Sequence, residues 1–230
     1  MFFPQRITGI KPTDRVLDIG PGADPHPRSN VLLEMAFADE AEYANQFGHG
    51  RKLETDKQLV LYDGTTFPFA DGEFDYVICT HVVEHVPNLE HFLSEVFRVG
   101  KRGYFEYPLA YYDLIYNINA HVNFVKRVDG TLRYMKKSAS HLAEFKPLQA
   151  LLLETMEKGH TKLIDDLPDL FMEGFQWEAP FACQQVHSLA EVCHTDYRIP
   201  ERKTVPLDSH GAKQLVQALL KVAGRRMGLG

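Results

Sequence analysis

The stretch Arg15-Val16-Leu17-Asp18-Ile19-Gly20-Pro21-Gly22 constrains this chain more than any other. A short apolar run holds an acid near its end and stops at a tight glycine turn. A strand covered by helices on both faces reads as such a near-continuous apolar run. Glycine then lets the backbone turn sharply and come close to a ligand, having no side chain in the way. The turn by itself does not say which ligand, if any, is held.

Further short apolar runs follow the first strand, expected at about 15–19. Val31-Leu32-Leu33-Glu34 reads as a second strand, although Pro25 and Pro27 leave no room for a regular helix before it. Such a crossover is unusually short for a parallel pair. The rival reading places one helix over about 30–47. Gln58-Leu59-Val60-Leu61-Tyr62 is a third strand, closed by Asp63-Gly64. Phe74 to Cys79 is a fourth, with Thr80-His81 opening the next connection. Asn88 caps a helix over about 88–99, whose Leu89, Phe92, Leu93, Val96 and Phe97 share one face. Gly103 to Tyr107 is a fifth strand. Strands alternating with helical segments predict an α/β fold: a Rossmann-like, mostly parallel sheet with helices on both faces.

The texture changes after Pro108. Asp129-Gly130 between two β-prone runs predicts a hairpin. Pro147 begins a helix with Leu148, Leu151, Leu152, Thr155 and Met156 on one face, ended by Gly159. Residues 109–170 are expected to be an inserted cap over the ligand edge of the sheet. Phe175-Gln176-Trp177 and Phe181–Val186 are expected to be the last, antiparallel strands, and 211–226 a short amphipathic helix.

Length and composition set outer limits. A chain of 230 residues with 44% hydrophobic content can bury one core, so 1–230 is read as one domain. A net charge of −6 argues against a nucleic-acid binder. Three cysteines, Cys79, Cys183 and Cys193, lack a metal-binding spacing, which fits reduced thiols and predicts a cytoplasmic location. No run approaches a membrane span.

The glycine turn alone fits nicotinamide or flavin cofactors, S-adenosylmethionine (SAM), or nothing. The later pieces separate these. Val16–Gly22, then Asp63, then Pro68-Phe69-Ala70-Asp71-Gly72-Glu73-Phe74-Asp75-Tyr76-Val77, then His81-Val82-Val83-Glu84-His85-Val86 stand in an order that resembles the class I SAM-dependent methyltransferases over about 14–108. The subgroup it looks most like has a shortened first crossover. Two departures stand out. Asp24 occupies the place of a third glycine, and the two prolines truncate the first helix.

The resemblance implies SAM as cofactor and assigns residues to it. Asp18 would hold the ammonium, directly or through water. Gly20, Pro21 and Gly22 form the turn that lies against the amino-acid and ribose parts. Glu34 offers two acceptor oxygens to the ribose diol. Asp63 would accept from the adenine amino group, with Tyr62 or Gly64 beside the ring. Thr80 and His81 leave the fourth strand near the reactive methyl. His81 is a candidate general base. His121, with Tyr111, Tyr112 and Tyr116, either lines an acceptor pocket or packs the insertion.

His81-Val82-Val83-Glu84-His85 also matches the His-x-x-Glu-His pattern of one zinc-peptidase class. Two histidines at i and i+4 on one helix face could bind zinc. No third ligand is indicated, so helix-start packing with polar contacts at the cofactor pocket is the expected role and no metal is expected. The expected function is direct transfer of the SAM methyl to an unidentified small-molecule, glycan or lipid-type acceptor. The alternative is a non-catalytic SAM-fold binding or scaffold protein.

Overall fold

The computed structural model describes residues 1–36 and 53–193. The chain divides into a compact unit, Met1–Thr195, and a second, Asp196–Gly230, which lies outside the described residues together with the helix expected over 211–226.

The first unit is built on a sheet whose strands run β1 Val16–Ile19, β2 Val31–Met35, β3 Gln58–Tyr62, β4 Tyr76–Thr80, β5 Gly103–Pro108 and β8 Met172–Trp177, in the spatial order β3-β2-β1-β4-β5-β8. The first five are parallel and β8 is antiparallel to β5. Val16, Leu17, Ile19 and Val77, Ile78, Cys79 are essentially inaccessible, as strands covered on both faces require. β3 lies at the edge, where Leu59 and Leu61 are exposed. Strand order reverses beside β1, with β2 on one side and β4 on the other. Open α/β sheets bind ligands at the carboxyl ends of the strands flanking such a point.

The 31–35 strand excludes the rival helix at its start; the rest of that expectation lies outside the described residues. Between β1 and β2 the chain makes turns and no helix. Polar side chains do the work of the missing helix. Asp18 Oδ2 accepts from the His26 N–H and the Ser29 hydroxyl, both at 2.9 Å. Asn30 Oδ1 accepts from the Val16 N–H at 2.8 Å, while the Asn30 N–H donates to the Val16 carbonyl at 2.9 Å. The shortened crossover is thus tied back to β1 at two levels.

Helix α1, Leu89–Val99, begins at Asn88, whose side chain accepts from the His91 N–H at 3.2 Å. It buries Leu89, Phe92, Leu93, Val96 and Val99 against the sheet. The chain from His81 to α1 is turns and bends, not the start of a helix.

After β5 come α2 Ala110–Tyr116, the hairpin β6 Asn123–Val128 and β7 Thr131–Lys136, α3 Lys146–Glu157, α4 Lys162–Asp166 and α5 Pro168–Phe171. Asp129 (φ 49°) and Gly130 (φ 81°) both take the left-handed conformation that a tight hairpin turn needs. Strand β9, Cys183–Gln185, is not a last antiparallel strand of the main sheet. It pairs parallel to β7 in a separate sheet, β6-β7-β9. The α3 face also differs from expectation. Leu148 and Leu151 are exposed, whereas Gln149 is buried, donating to the Leu114 carbonyl and accepting from the Asn117 amide.

Candidate functional site

The glycine turn leaves β1 at its carboxyl end. Gly20 has φ +60°, and a Cβ there would lie 2.5 Å from Val82 Cγ2. Both conformation and space therefore demand glycine. The Gly20 N–H donates to the Leu33 carbonyl at 2.9 Å, tying the turn to β2. Gly22 has φ +58°, with open space where its Cβ would be. With Pro21 between them, these residues form a backbone cradle open on one side.

Asp18 is 2% exposed and faces this crossover. Burial raises its pKa to about 6, against the opposing pull of the His26 N–H and Ser29 hydroxyl. Its first partners are thus within the chain, a structural duty that sequence reasoning missed. Ser29 and the proline-bounded loop gave the only signal for it.

Glu34 sits near the end of β2, as anticipated. Its Oε1 accepts from the Met35 N–H at 2.9 Å. Burial raises its pKa to about 7, helped by the charge of Asp18. Tyr62 ends β3, packed edge-on against Phe67 with centroids 5.2 Å apart. Asp63 and Gly64 follow. Asp63 is exposed and accepts from the Thr65 hydroxyl at 2.6 Å and the Thr65 N–H at 3.0 Å, which hold its pKa below the usual carboxylate value. A Cβ on Gly64 (φ +84°) would meet only Met35 Sδ, at 3.6 Å. Asp18, the glycine turn, Glu34, Tyr62 to Gly64 and Thr80 thus all lie along one edge, at or next to the carboxyl ends of β1 to β4.

Thr80 ends β4, and His81 turns the chain with φ +57°, an uncommon conformation for a non-glycine residue. Its N–H donates to the Glu106 carbonyl at 2.8 Å. Its ring Nε2 lies 3.1 Å from Glu106 Oε1, and Nδ1 lies 3.6 Å from Glu84 Oε1. Burial disfavours a charged ring, but the hydrogen bond to Glu106 and the nearby Glu84 carboxylate outweigh it and raise the pKa to about 9. A ring that keeps its proton at neutral pH is a cation, which weighs against a general base at His81. Glu106 is buried and also accepts from the Phe3 N–H and the Tyr104 hydroxyl.

His121 lies in the segment leading into the hairpin, far from His81 in sequence. Its Nδ1 is 2.7 Å from Asp113 Oδ2. Its ring packs edge-on against His85, with centroids 4.8 Å apart, and lies 6.2 Å from Tyr112. The Glu84 carbonyl accepts from the N–H groups of Val122 and Asn123, and the Asn123 amide donates to the carbonyls of Val83 and Val86. The hairpin is therefore pinned to the turn after β4. His81 and His85 do not share a helix face. Instead Glu84, His85 and His121 converge, with ligand-type atoms within 4.8 Å of one another. No periodicity in the sequence links residue 121 to 84.

Comparison with known proteins finds similarity over part of the chain. Residues 29–105 match the family model described as a methyltransferase domain. Sterol 24-C-methyltransferase erg6 of Schizosaccharomyces pombe is 33% identical over 102 residues, which are 41% of this chain and 27% of that protein. Demethylmenaquinone methyltransferase of Renibacterium salmoninarum is 31% identical over 97 residues, 41% of this chain and 40% of that protein. A solved SAM-dependent methyltransferase from Methanosarcina mazei is 17% identical, with a TM-score of 0.33 and coverage of 52% of this chain and 69% of that one. The chain thus spans well under half the length of these curated relatives. Residues 29–105, about a third of the chain, are thus similar to a methyltransferase domain. Among the described residues, no helix is long and apolar enough to cross a membrane.

Proposed function

We propose that the chain binds SAM along the carboxyl ends of β1 to β4 and transfers its methyl to an acceptor held beneath residues 109–170. The observation that carries this reading is Gly20: a left-handed glycine, with a Val82 methyl where a side chain would stand, at the mouth of β1 beside the matched domain. The open side of Gly22 and the two-oxygen acceptor at Glu34 fit a nucleoside with a ribose diol.

SAM, when bound, supplies a methyl already activated on a sulfonium. The protein's task is then alignment, which can account for much of the rate. In this reading Gly20, Pro21 and Gly22 bring backbone against the amino-acid part. Asp18 fixes the loop over it and attracts the ammonium. Glu34 accepts from the ribose, while Tyr62, Asp63 and Gly64 frame the adenine. Thr80 and His81 flank the methyl, with His81 as a positioning cation held by Glu106. His121 and its tyrosine neighbours border the acceptor. The family match ends at residue 105, before the proposed cap, so the acceptors in the relatives' names do not pass to this chain through it. A small-molecule acceptor, free or linked to lipid or glycan, fits the aromatic border.

The tie between Asp18 and the shortened crossover favours one second reading, a SAM-binding scaffold without turnover. Calorimetry followed by turnover separates the two. Binding of SAM or S-adenosylhomocysteine, with none of NAD, supports a SAM site. Formation of S-adenosylhomocysteine with a panel of acceptors distinguishes enzyme from scaffold.

A further inference from the structure

We propose that Glu84, His85 and His121 bind one divalent transition-metal ion of the zinc class, a role that goes beyond methyl transfer and stands without it. The first observation is the carboxylate. Glu84 is fully buried, and neither of its oxygens has a hydrogen-bond partner. Its neighbours His81 Nδ1 and His85 Nε2 stand at 3.6 and 3.8 Å, beyond hydrogen-bond reach. A buried carboxylate left in this state is costly unless something else satisfies it.

The second observation is the orientation of both imidazoles. His85 Nδ1 lies 3.1 Å from the Ala120 carbonyl, an acceptor that requires the ring to donate from Nδ1. His121 Nδ1 is held in the same way by Asp113 at 2.7 Å. Each ring therefore presents Nε2 as its lone-pair nitrogen. Metal-bound histidines carry the same outer hydrogen bond to a carbonyl or carboxylate. Asp113 is itself fixed by Lys137 Nζ at 2.9 Å and the Ile118 N–H at 3.0 Å. The backbone bonds from Val122 and Asn123 to the Glu84 carbonyl hold the two chain segments together beside the cluster.

Two imidazoles and a carboxylate suit zinc and its neighbours, and such three-residue sets leave a coordination position open. Zinc bonds of 2.0–2.2 Å place tetrahedral ligand atoms roughly 3.3 Å apart, so the widest separation here would close by about 1.5 Å. The pair that the sequence pattern suggested is not the one used: His81 turns its Nε2 to Glu106. The open coordination position would take an oxygen of water.

The test uses the full chain, stripped of metal with a chelator and titrated calorimetrically with Zn²⁺. One ion per chain is expected. The isosteric Glu84→Gln and the separate His85→Gln and His121→Gln variants should each weaken binding at least about a hundredfold. His141→Ala, at an exposed histidine outside the cluster, should leave it unchanged. With Co²⁺ the protein should show d–d bands and no thiolate-to-cobalt charge transfer. Absent stoichiometric binding, undiminished binding in Glu84→Gln, or a thiolate band would each overturn the site. Titration of the metal-free chain with S-adenosylhomocysteine reads the cofactor site independently, so the failure of one proposal is distinguishable from that of the other.

Discussion

Gly20 is the residue on which the proposed cofactor site turns. An alanine there would take a left-handed backbone and press its Cβ onto Val82 Cγ2. Strain and overlap together should cost about 2–4 kcal/mol of stability. Gly20→Ala is expected to lose S-adenosylhomocysteine binding by more than tenfold. Adding Val82→Ala should recover stability in denaturant melts by removing the overlap, but not all of it, because the φ angle remains.

Two carboxylates give opposite readouts of pH. Asp18 is displaced upward from 3.8 to about 6, chiefly by burial. A raised carboxyl pKa favours the protonated fold, so this contribution is complete below about pH 4 and lost as pH rises through about 6. The displacement corresponds to about 3 kcal/mol. Asp18→Asn, neutral throughout, should flatten the fall in stability between pH 4 and 7, as read by urea unfolding. Glu34, raised to about 7, must ionise to accept from both ribose hydroxyls. Affinity for S-adenosylhomocysteine should therefore tighten from pH 6 to pH 8. In Glu34→Gln that step should vanish and binding should be weaker at pH 8.

Among the elements, the pin between the hairpin and the turn after β4 is the contact most open to test. Asn123 is 1% exposed and donates to the Val83 and Val86 carbonyls at 3.0 and 2.8 Å. Asn123→Ala leaves both carbonyls short of a donor and should cost about 2–4 kcal/mol in thermal or urea unfolding. Its effect on cofactor affinity should be small, since β1 and β2 are untouched.

Elements defined by local pattern were legible in the sequence. β1, β3, β5, α1 and the Asp129-Gly130 turn all follow from apolar runs, a cap residue or a dipeptide with left-handed preference. Features made by partners distant in sequence were not. β9 pairs with β7 across some fifty residues, and a three-residue strand carries too short a pattern to name its sheet. The α3 face shifted because Gln149 found two hydrogen-bond partners on and just after α2, which made a polar side chain the buried one. The carboxyl-edge positions of Asp18, Glu34 and Asp63 could be read from strand ends. The claim of Ser29 and His26 on Asp18, and the approach of His121 to Glu84, depend on tertiary contacts.

For the molecule as a whole, a six-stranded sheet with its reversal beside β1 supplies an edge where a nucleoside can lie. The segment after β5 is fastened to that edge through Glu84, Asn123 and Lys136, whose Nζ donates to the Pro87 carbonyl and Asn123 Oδ1. The most direct measurement of the central claim is calorimetric titration of the full chain with S-adenosylhomocysteine at pH 8, beside Gly20→Ala and a parallel titration with NAD. One site of micromolar affinity, lost in Gly20→Ala and absent for NAD, is the predicted result. No binding of S-adenosylhomocysteine, or equal binding in Gly20→Ala, would contradict it.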